Sequence, residues 1–244
     1  MVSWLYEIKI STATSRRVTL NSALDAHQVF RNFGVNSLKE KIVLITGGSR
    51  GIGASTAILA GKMGWDVCFT YRSRESEASY VAKEIEKSGR RALPIKADVG
   101  IEKDIVSLFE KLDREFGRLD ALVNNAGIIT PLSKLTDMSA FRLQDVFNVN
   151  VVGSFLCARE AIKRMSIVQG GQGGSIVNVS SAAARIGSPN EFIDYAATKG
   201  AIDTMTLGLS KEVAEDGIRV NAVRPGLIET GLHGDAGDID IPEK

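Results

Sequence analysis

The sequence predicts an α/β fold: a single domain built on one doubly wound parallel sheet of six strands, with helices on both faces. Three observations carry this. Short Val/Ile-rich runs alternate with longer segments of helical period from Lys41 to Gly226, the pattern of βαβ units. The runs are apolar at consecutive positions, as when helices cover both faces of a strand. Glycines close most of the helical segments. Right-handed crossovers then wind the units to both sides of the sheet.

The elements follow in order. "KIVLIT" (41–46) is a buried strand running into glycine-rich sequence, and "GIGASTAILAGKMG" (51–64) is a helix with a glycine stop. "DVCFTY" (66–71) is the second strand and "ESEASYVAKEIEKSG" (75–89) a helix with a charged outer face. "RALPIKADV" (91–99), "KDIVSLFEKLDREFG" (103–117) and "LDALVNNAG" (119–127) supply strand, helix and strand. Residues 139–165 read as one long helical pattern, "GGSIVNVSS" (173–181) as the fifth strand, "YAATKGAIDTMTLGLSKEVAEDG" (195–217) as a helix and "IRVNAVRPG" (218–226) as the sixth strand.

Residues 1–37 stand apart as an N-terminal extension, and residues 38–244 form the predicted domain. The extension is Ser/Thr-rich, carries Arg16, Arg17 and Arg31, and has only Glu7 and Asp25 as acids. It has no apolar core of secretory-signal length; a divergent or disordered extension is expected, with an organelle transit peptide as the competing reading. A net charge of +1 provides no field that steers the chain to nucleic acid or an anionic membrane. Two cysteines, Cys68 and Cys157, form no disulfide framework and read as buried thiols. Two distant histidines, His27 and His233, give no metal-site spacing, so no metal is expected. No apolar run reaches the ~20 residues that span a bilayer. A cytoplasmic location is the expectation.

Two stretches carry chemistry. "TGGSRGIG" (46–53) places Gly47, Gly51 and Gly53 where a strand turns into a helix. Glycines there permit a tight turn and close approach of backbone to a pyrophosphate at the helix N-terminus, which makes the sheet Rossmann-type. In "YAATK", Lys199 follows Tyr195 by one helical turn and shares its helix face. A phenol is a poor acid or base near neutrality unless shifted, and a neighbouring ammonium favours its ionised form. Tyr195 and Lys199 therefore read as a tuned acid/base pair.

"TGGSRGIG", "NNAG" (124–127), "YAATK" (195–199) and "RPG" (224–226), in this order and each at a strand or helix end, resemble the short-chain dehydrogenase/reductase family over roughly residues 39–235. The likeness is to 3-oxoacyl-carrier-protein reductase and glucose dehydrogenase-like members. It implies an oxidoreductase that interconverts a carbonyl and an alcohol by hydride transfer. Tyr195 would give and take the proton, and Lys199 would also hold the nicotinamide ribose. Ser181 would hydrogen-bond the carbonyl, with Ser180 as the lesser candidate. Asn150 would interrupt its helix and anchor a proton-relay water, with Asn148 as its competitor. The remaining cofactor contacts implied are Ser49, Arg50 and Ile52 in the loop, Asp98 and Val99 after the third strand, Asn125, Ala126 and Gly127 after the fourth, and Pro225, Gly226, Ile228 and Thr230 near the end. A homodimer or homotetramer is the expected assembly.

The second strand ends "FTYRSR" (69–74) without an acid, so nothing repels a ribose 2′-phosphate, while Arg72 and the loop's Arg50 suit one. NADP(H) is the expected cofactor, with NAD(H) tolerated. The substrate pocket is expected from "IITPLSKL" (128–135) and "GSPNEFI" (187–193). The family pattern continues past "RPGLIET" with further helices and a seventh strand, which this sequence lacks. That departure opens a competing expectation, a catalytically impaired cofactor-binding or interaction protein. A nucleotide-sugar epimerase relative also uses Tyr and Lys; the glycine spacing and "NNAG" disfavour it.

Overall fold

In a computed structural model of the chain, residues 6–9, 17–20, 41–226 and 228 are described here. The chain divides into two compact units, Met1–Lys39 and Glu40–Lys244. In the first, β1 (Tyr6–Lys9) pairs antiparallel with β2 (Arg17–Leu20), Tyr6 opposite Leu20.

The second unit contains the predicted sheet. Its six parallel strands are β3 (Ile42–Ile45), β4 (Asp66–Tyr71), β5 (Ala92–Lys96), β6 (Ala121–Asn124), β7 (Gly174–Val179) and β8 (Ile218–Val223), in spatial order β5-β4-β3-β6-β7-β8. The order reverses between β3 and β6. In such sheets ligands bind in the crevice outside the carboxyl ends of the strands at that reversal.

Alternate residues of each strand feed different cores. On one face Leu44, Cys68, Leu122, Ile176 and Val220 pack with α3 (Glu102–Phe116), α5 (Gly153–Met165) and α7 (Ile193–Glu212), through Phe109, Met165, Ile202 and their neighbours. On the other, Val43, Ile45, Val67 and Phe69 pack with α1 (Gly51–Lys62) and α2 (Glu75–Glu86), through Ala57, Val81 and Ile85. Each fully buried Leu, Ile or Phe stabilises by about 1.5–3 kcal/mol. This two-sided cover is why "DVCFTY" reads as continuous apolar sequence. By contrast β8 alternates, with Ile218 and Val220 buried and Arg219, Asn221 and Val223 exposed. Cys68 and Cys157 are buried free thiols, and desolvation pushes the Cys157 thiol up to about 12. Among the described residues no helix is long and apolar enough to cross a membrane.

The long helical pattern of residues 139–165 resolves into three parts. α4 (Ala140–Phe147) is capped by Ser139, whose hydroxyl accepts from the Arg142 amide at 3.1 Å. A π-helical turn, Asn148–Val152, follows before α5 begins. Gly153 lies so near the preceding strand–helix loop that a Cβ there would stand 2.5 Å from the Val99 carbonyl oxygen.

An ion pair fixes the start of α7. The Asp194 carboxylate accepts from Arg142 Nε at 2.8 Å and from the Tyr195 amide at 2.9 Å, and Arg142 Nη1 donates to the Pro131 carbonyl at 2.6 Å. Asp194 is buried, and Arg142 holds its carboxyl below the ordinary value despite that burial. Asp194→Ala strands a part-buried guanidinium and is expected to destabilise by about 2–4 kcal/mol. The pair's contribution is present above the ordinary carboxylate pKa and is lost as pH falls through the depressed one. Urea unfolding of both proteins at pH 7 and at pH 3 therefore shows the gap between them narrowing in acid.

Candidate functional site

A cleft of about 630 Å³ lies at the carboxyl ends of the strands and takes residues from every strand end. One end is the glycine loop. Gly47 and Gly51 have φ of 66° and 54°, conformations other residues adopt only with strain. The loop is tied down from both sides. Thr70 Oγ1 accepts from the Gly47 amide at 2.9 Å, and Asn125 Nδ2 donates to the carbonyls of Thr46 and Gly47 at 2.9 and 3.0 Å. Thr46 Oγ1 accepts from the amides of Asn125 and Ala126, both at 3.0 Å. Thus "TGG" and "NNAG" are two halves of one hydrogen-bonded turn, and the buried Thr46 that joins them is a residue the motif spacing had not singled out.

Ser49, Arg50, Gly51, Ile52 and Gly53 all line the cleft, as do Arg72, Ser73 and Arg74 after β4. Among the described residues no N-cap side chain closes the start of α1, and its first residues, Gly51 to Gly53, line the cleft where leading amides can meet an anion. This loop, these guanidinium groups and the missing cap together fit a dinucleotide phosphate. Arg72 stands 3.9 Å from Asp98, a half-exposed ion pair that holds either partner weakly. Asp98, Val99, Asn125, Ala126 and Gly127 line the middle of the cleft, and Pro225, Gly226 and Ile228 its far wall. Thr230 lies outside the described residues.

At the other end Ser180, Ser181, Tyr195 and Lys199 meet. The serines differ in what they face. Ser180 is buried and donates to the Lys199 carbonyl at 3.2 Å, whereas Ser181 Oγ accepts from the Ala183 amide and hydrogen-bonds Tyr195. Ser181 is therefore the serine beside the phenol. Lys199 Nζ donates to the Val179 carbonyl at 2.7 Å and stands 5.4 Å from the centre of the Tyr195 ring.

The expected electrostatics of this pair need correction. Burial raises the Tyr195 phenol above its ordinary value, with the Ser181 hydrogen bond acting in the opposite direction. The same burial pulls Lys199 down to about 8. Desolvation penalises both charged forms, and here it outweighs the attraction that the spacing alone suggests.

Asn150 is buried in the π turn. Its side chain accepts from the Ile128 amide at 2.8 Å and donates to the Ile128 carbonyl at 2.9 Å. It braces the strand-end loop next to Gly127, and its own carbonyl accepts from Ser154 Oγ at 3.0 Å. Asn148 instead donates to the Gly100 carbonyl, away from the cleft. Ile128 and Ile129, then Ser188, Glu191 and Phe192, line the cleft beyond Tyr195 from the two stretches the sequence pointed to, and Ile186, one residue before the second stretch, joins them. Ile129 and Phe192 pack against the Tyr195 ring. Between them the backbone is strained, with φ of 44° at Ser188 and 62° at Asn190.

Comparison with known proteins agrees with this geometry. The short chain dehydrogenase family matches residues 41–238. An uncharacterized oxidoreductase, YgfF of Escherichia coli (strain K12), is 49% identical over 197 residues, covering 81% of this chain and 80% of that protein. General stress protein 39 of Bacillus subtilis is 38% identical over 199 residues, covering 82% and 68%. Among solved structures, a short chain dehydrogenase from Burkholderia cenocepacia in complex with NADP aligns with a TM-score of 0.75 at 36% identity, over 81% of this chain and 78% of that one. An acetoin dehydrogenase from Enterobacter cloacae aligns with a TM-score of 0.74 at 35% identity, over 81% and 77%.

Proposed function

Because the chain belongs to the short-chain dehydrogenase/reductase family and shares its oxidoreductase sheet, we propose that it interconverts a carbonyl and an alcohol with NADP(H). The observation that carries this is the convergence of Tyr195, Ser181 and Lys199 at one end of a cleft whose other end is a glycine loop flanked by arginines. Gly47 to Gly53, Asp98, Val99 and Asn125 to Gly127 would hold the nicotinamide dinucleotide, and Pro225, Gly226 and Ile228 would close over it. When bound, that cofactor supplies or accepts the hydride.

The rest is the work of this chain. Ser181 presents a hydroxyl where negative charge develops on the carbonyl oxygen. In reduction Tyr195 Oη gives its proton to that oxygen, and in oxidation it takes the proton back. A phenol raised by burial stays protonated at neutral pH, which suits reduction. The Lys199 ammonium stabilises the phenolate that remains. Asn150 keeps the Gly127–Ile128 turn in register with α7, through its bonds to Ile128 and to Thr198 Oγ1. Ile129 and Phe192 exclude water from the phenol's flank.

Fluorescence titration of the protein with NADPH and with NADH tests the cofactor reading. NADPH is expected to bind more tightly. Arg72→Ala should weaken NADPH about tenfold, about 1.4 kcal/mol, and leave NADH unchanged. Equal affinity for the two nucleotides, or equal losses in the variant, overturns the assignment of Arg72 to the 2′-phosphate.

A further inference from the structure

Neither Arg142 nor Asp194 lines the cleft, yet the segments their ion pair joins both do. Asp194 precedes Tyr195, and its Oδ1 accepts from the Tyr195 amide at 2.9 Å. The guanidinium grips the carboxylate with two nitrogens, Nε to Oδ2 at 2.8 Å and Nη2 to Oδ1 at 3.3 Å. Its third nitrogen, Nη1, donates to the Pro131 carbonyl. Thr130 Oγ1 donates to Asp194 Oδ2 at 3.4 Å. One planar fork thus joins α4, the loop after β6, and the first turn of α7, which bears Tyr195.

That loop is anchored along its length. Asn150 bonds both the amide and the carbonyl of Ile128, the ion pair holds Thr130 and Pro131, and the Ser133 amide donates to the Glu191 carbonyl at 3.1 Å. Ile129 sits between the anchors, buried against Phe192 and the Tyr195 ring. The clamp therefore sets where Ile129 stands relative to the phenol. Asp194 is buried and Arg142 mostly so, which strengthens these bonds over surface ones. A buried ion pair adds little net stability over apolar packing of equal volume. What it supplies here is direction, because a two-toothed fork holds its partner in one geometry.

We propose that Arg142 and Asp194 are positioning residues that fix the Ile129–Phe192 wall against Tyr195 and thereby decide which face of a ketone is presented for reduction. This rests on the reading above, in which Tyr195 protonates the carbonyl oxygen. With that oxygen at Tyr195 Oη and Ser181, either substituent of the carbonyl can lie against the wall, and the two placements present opposite faces. A wall held in place selects the apolar substituent, and a loose one accepts both.

The probe is ethyl benzoylformate, whose ketone carries an apolar phenyl group on one side and an ester on the other. Chiral chromatography of the alcohol gives the enantiomer ratio, and NADPH absorbance gives turnover. Arg142→Lys keeps the charge without the fork, and Asp194→Asn keeps the shape without the charge. Each is expected to lower kcat about 10–100-fold, to erode the enantiomer ratio at least about fivefold and to leave NADPH affinity within about twofold. Loss of folded protein alone would lower the rate and leave the ratio, which counts only working molecules. Thr130→Val removes one bond and no charge, so it reports the same changes at smaller size if the charged-site variants do not fold. The Ile129 δ1 methyl resonance, assigned by its loss in Ile129→Val, reads the geometry without turnover. It is expected to move toward the ordinary isoleucine position in each variant. Folded variants with the wild-type ratio overturn the proposal, whether or not the Ile129 signal moves. A racemic product from the wild type overturns it too. If only aldehydes react, the same ratio is read on the alcohol formed from deuterated benzaldehyde. NADPH binding with no reduction of either carbonyl sinks the oxidoreductase reading itself.

Discussion

Tyr195→Phe is expected to lower turnover by about 10²–10⁴-fold while leaving folding and NADPH affinity as they were. The phenylalanine ring keeps the contacts with Ile129 and Phe192 that seat the tyrosine. Only the Oη is lost, and with it the proton and the bond to Ser181. Because burial raises that phenol, loss of its proton cannot limit reduction near neutrality. An alkaline fall in rate near pH 8 would instead report Lys199, which titrates at about 8. NADPH oxidation followed by absorbance with an aromatic aldehyde as acceptor measures both effects. A variant that turns over within a few-fold of wild type would remove Tyr195 from the chemistry.

Gly53→Ala attacks the other end of the cleft. A Cβ at Gly53 would lie 2.2 Å from the Gly47 carbonyl oxygen and 2.5 Å from Asn125 Nδ2. The first is backbone, and the second is the amide that ties the loop to the end of β6, so neither can swing aside. Overpacking of this kind destabilises by about 1–3 kcal/mol. It also opens the turn that the phosphate needs, so NADPH affinity should fall at least about 100-fold, equivalent to about 2.8 kcal/mol. Gly208→Ala is the control. It lies within α7 with nothing inside 4 Å of the added carbon, and should stabilise by about 0.5–1 kcal/mol with unchanged binding. Denaturation and fluorescence titration of both variants check the contrast. Unchanged binding in Gly53→Ala would mean that the loop does not hold the nucleotide.

Much of the sheet was legible because apolar periodicity is a local signal. "DVCFTY" is β4 residue for residue, and the helices after "TGGSRGIG" and before "FGRLD" begin and end within a few positions of their glycines. The glycine loop and the Tyr195–Lys199 pair were legible for the same reason, since each is written within a few residues. What escaped lies in tertiary packing. The Arg142–Asp194 pair joins residues 52 apart, and Asp203–Arg224 joins residues 21 apart. The direction of the Tyr195 shift escaped because four-residue spacing reveals a neighbour's charge but not the depth at which both groups sit. The short helix α6 (Ala183–Ile186) was missed because one turn is too brief to show a period.

The π turn at Asn148–Val152 has a bearing on how this chain can change over evolution. A π turn is an α-helix that has absorbed one additional residue. Deleting one residue there would restore an unbroken helix, but would rotate everything downstream by about 100° about the axis. Cys157, Ala158, Ala161 and Met165 would leave the core together, and Gly153 would swing away from the Val99 carbonyl, against which a Cβ does not fit. The segment should accept substitutions at its exposed positions yet reject every single-residue insertion or deletion. A library of one-residue indels across 128–173 would find its survivors outside residues 140–165.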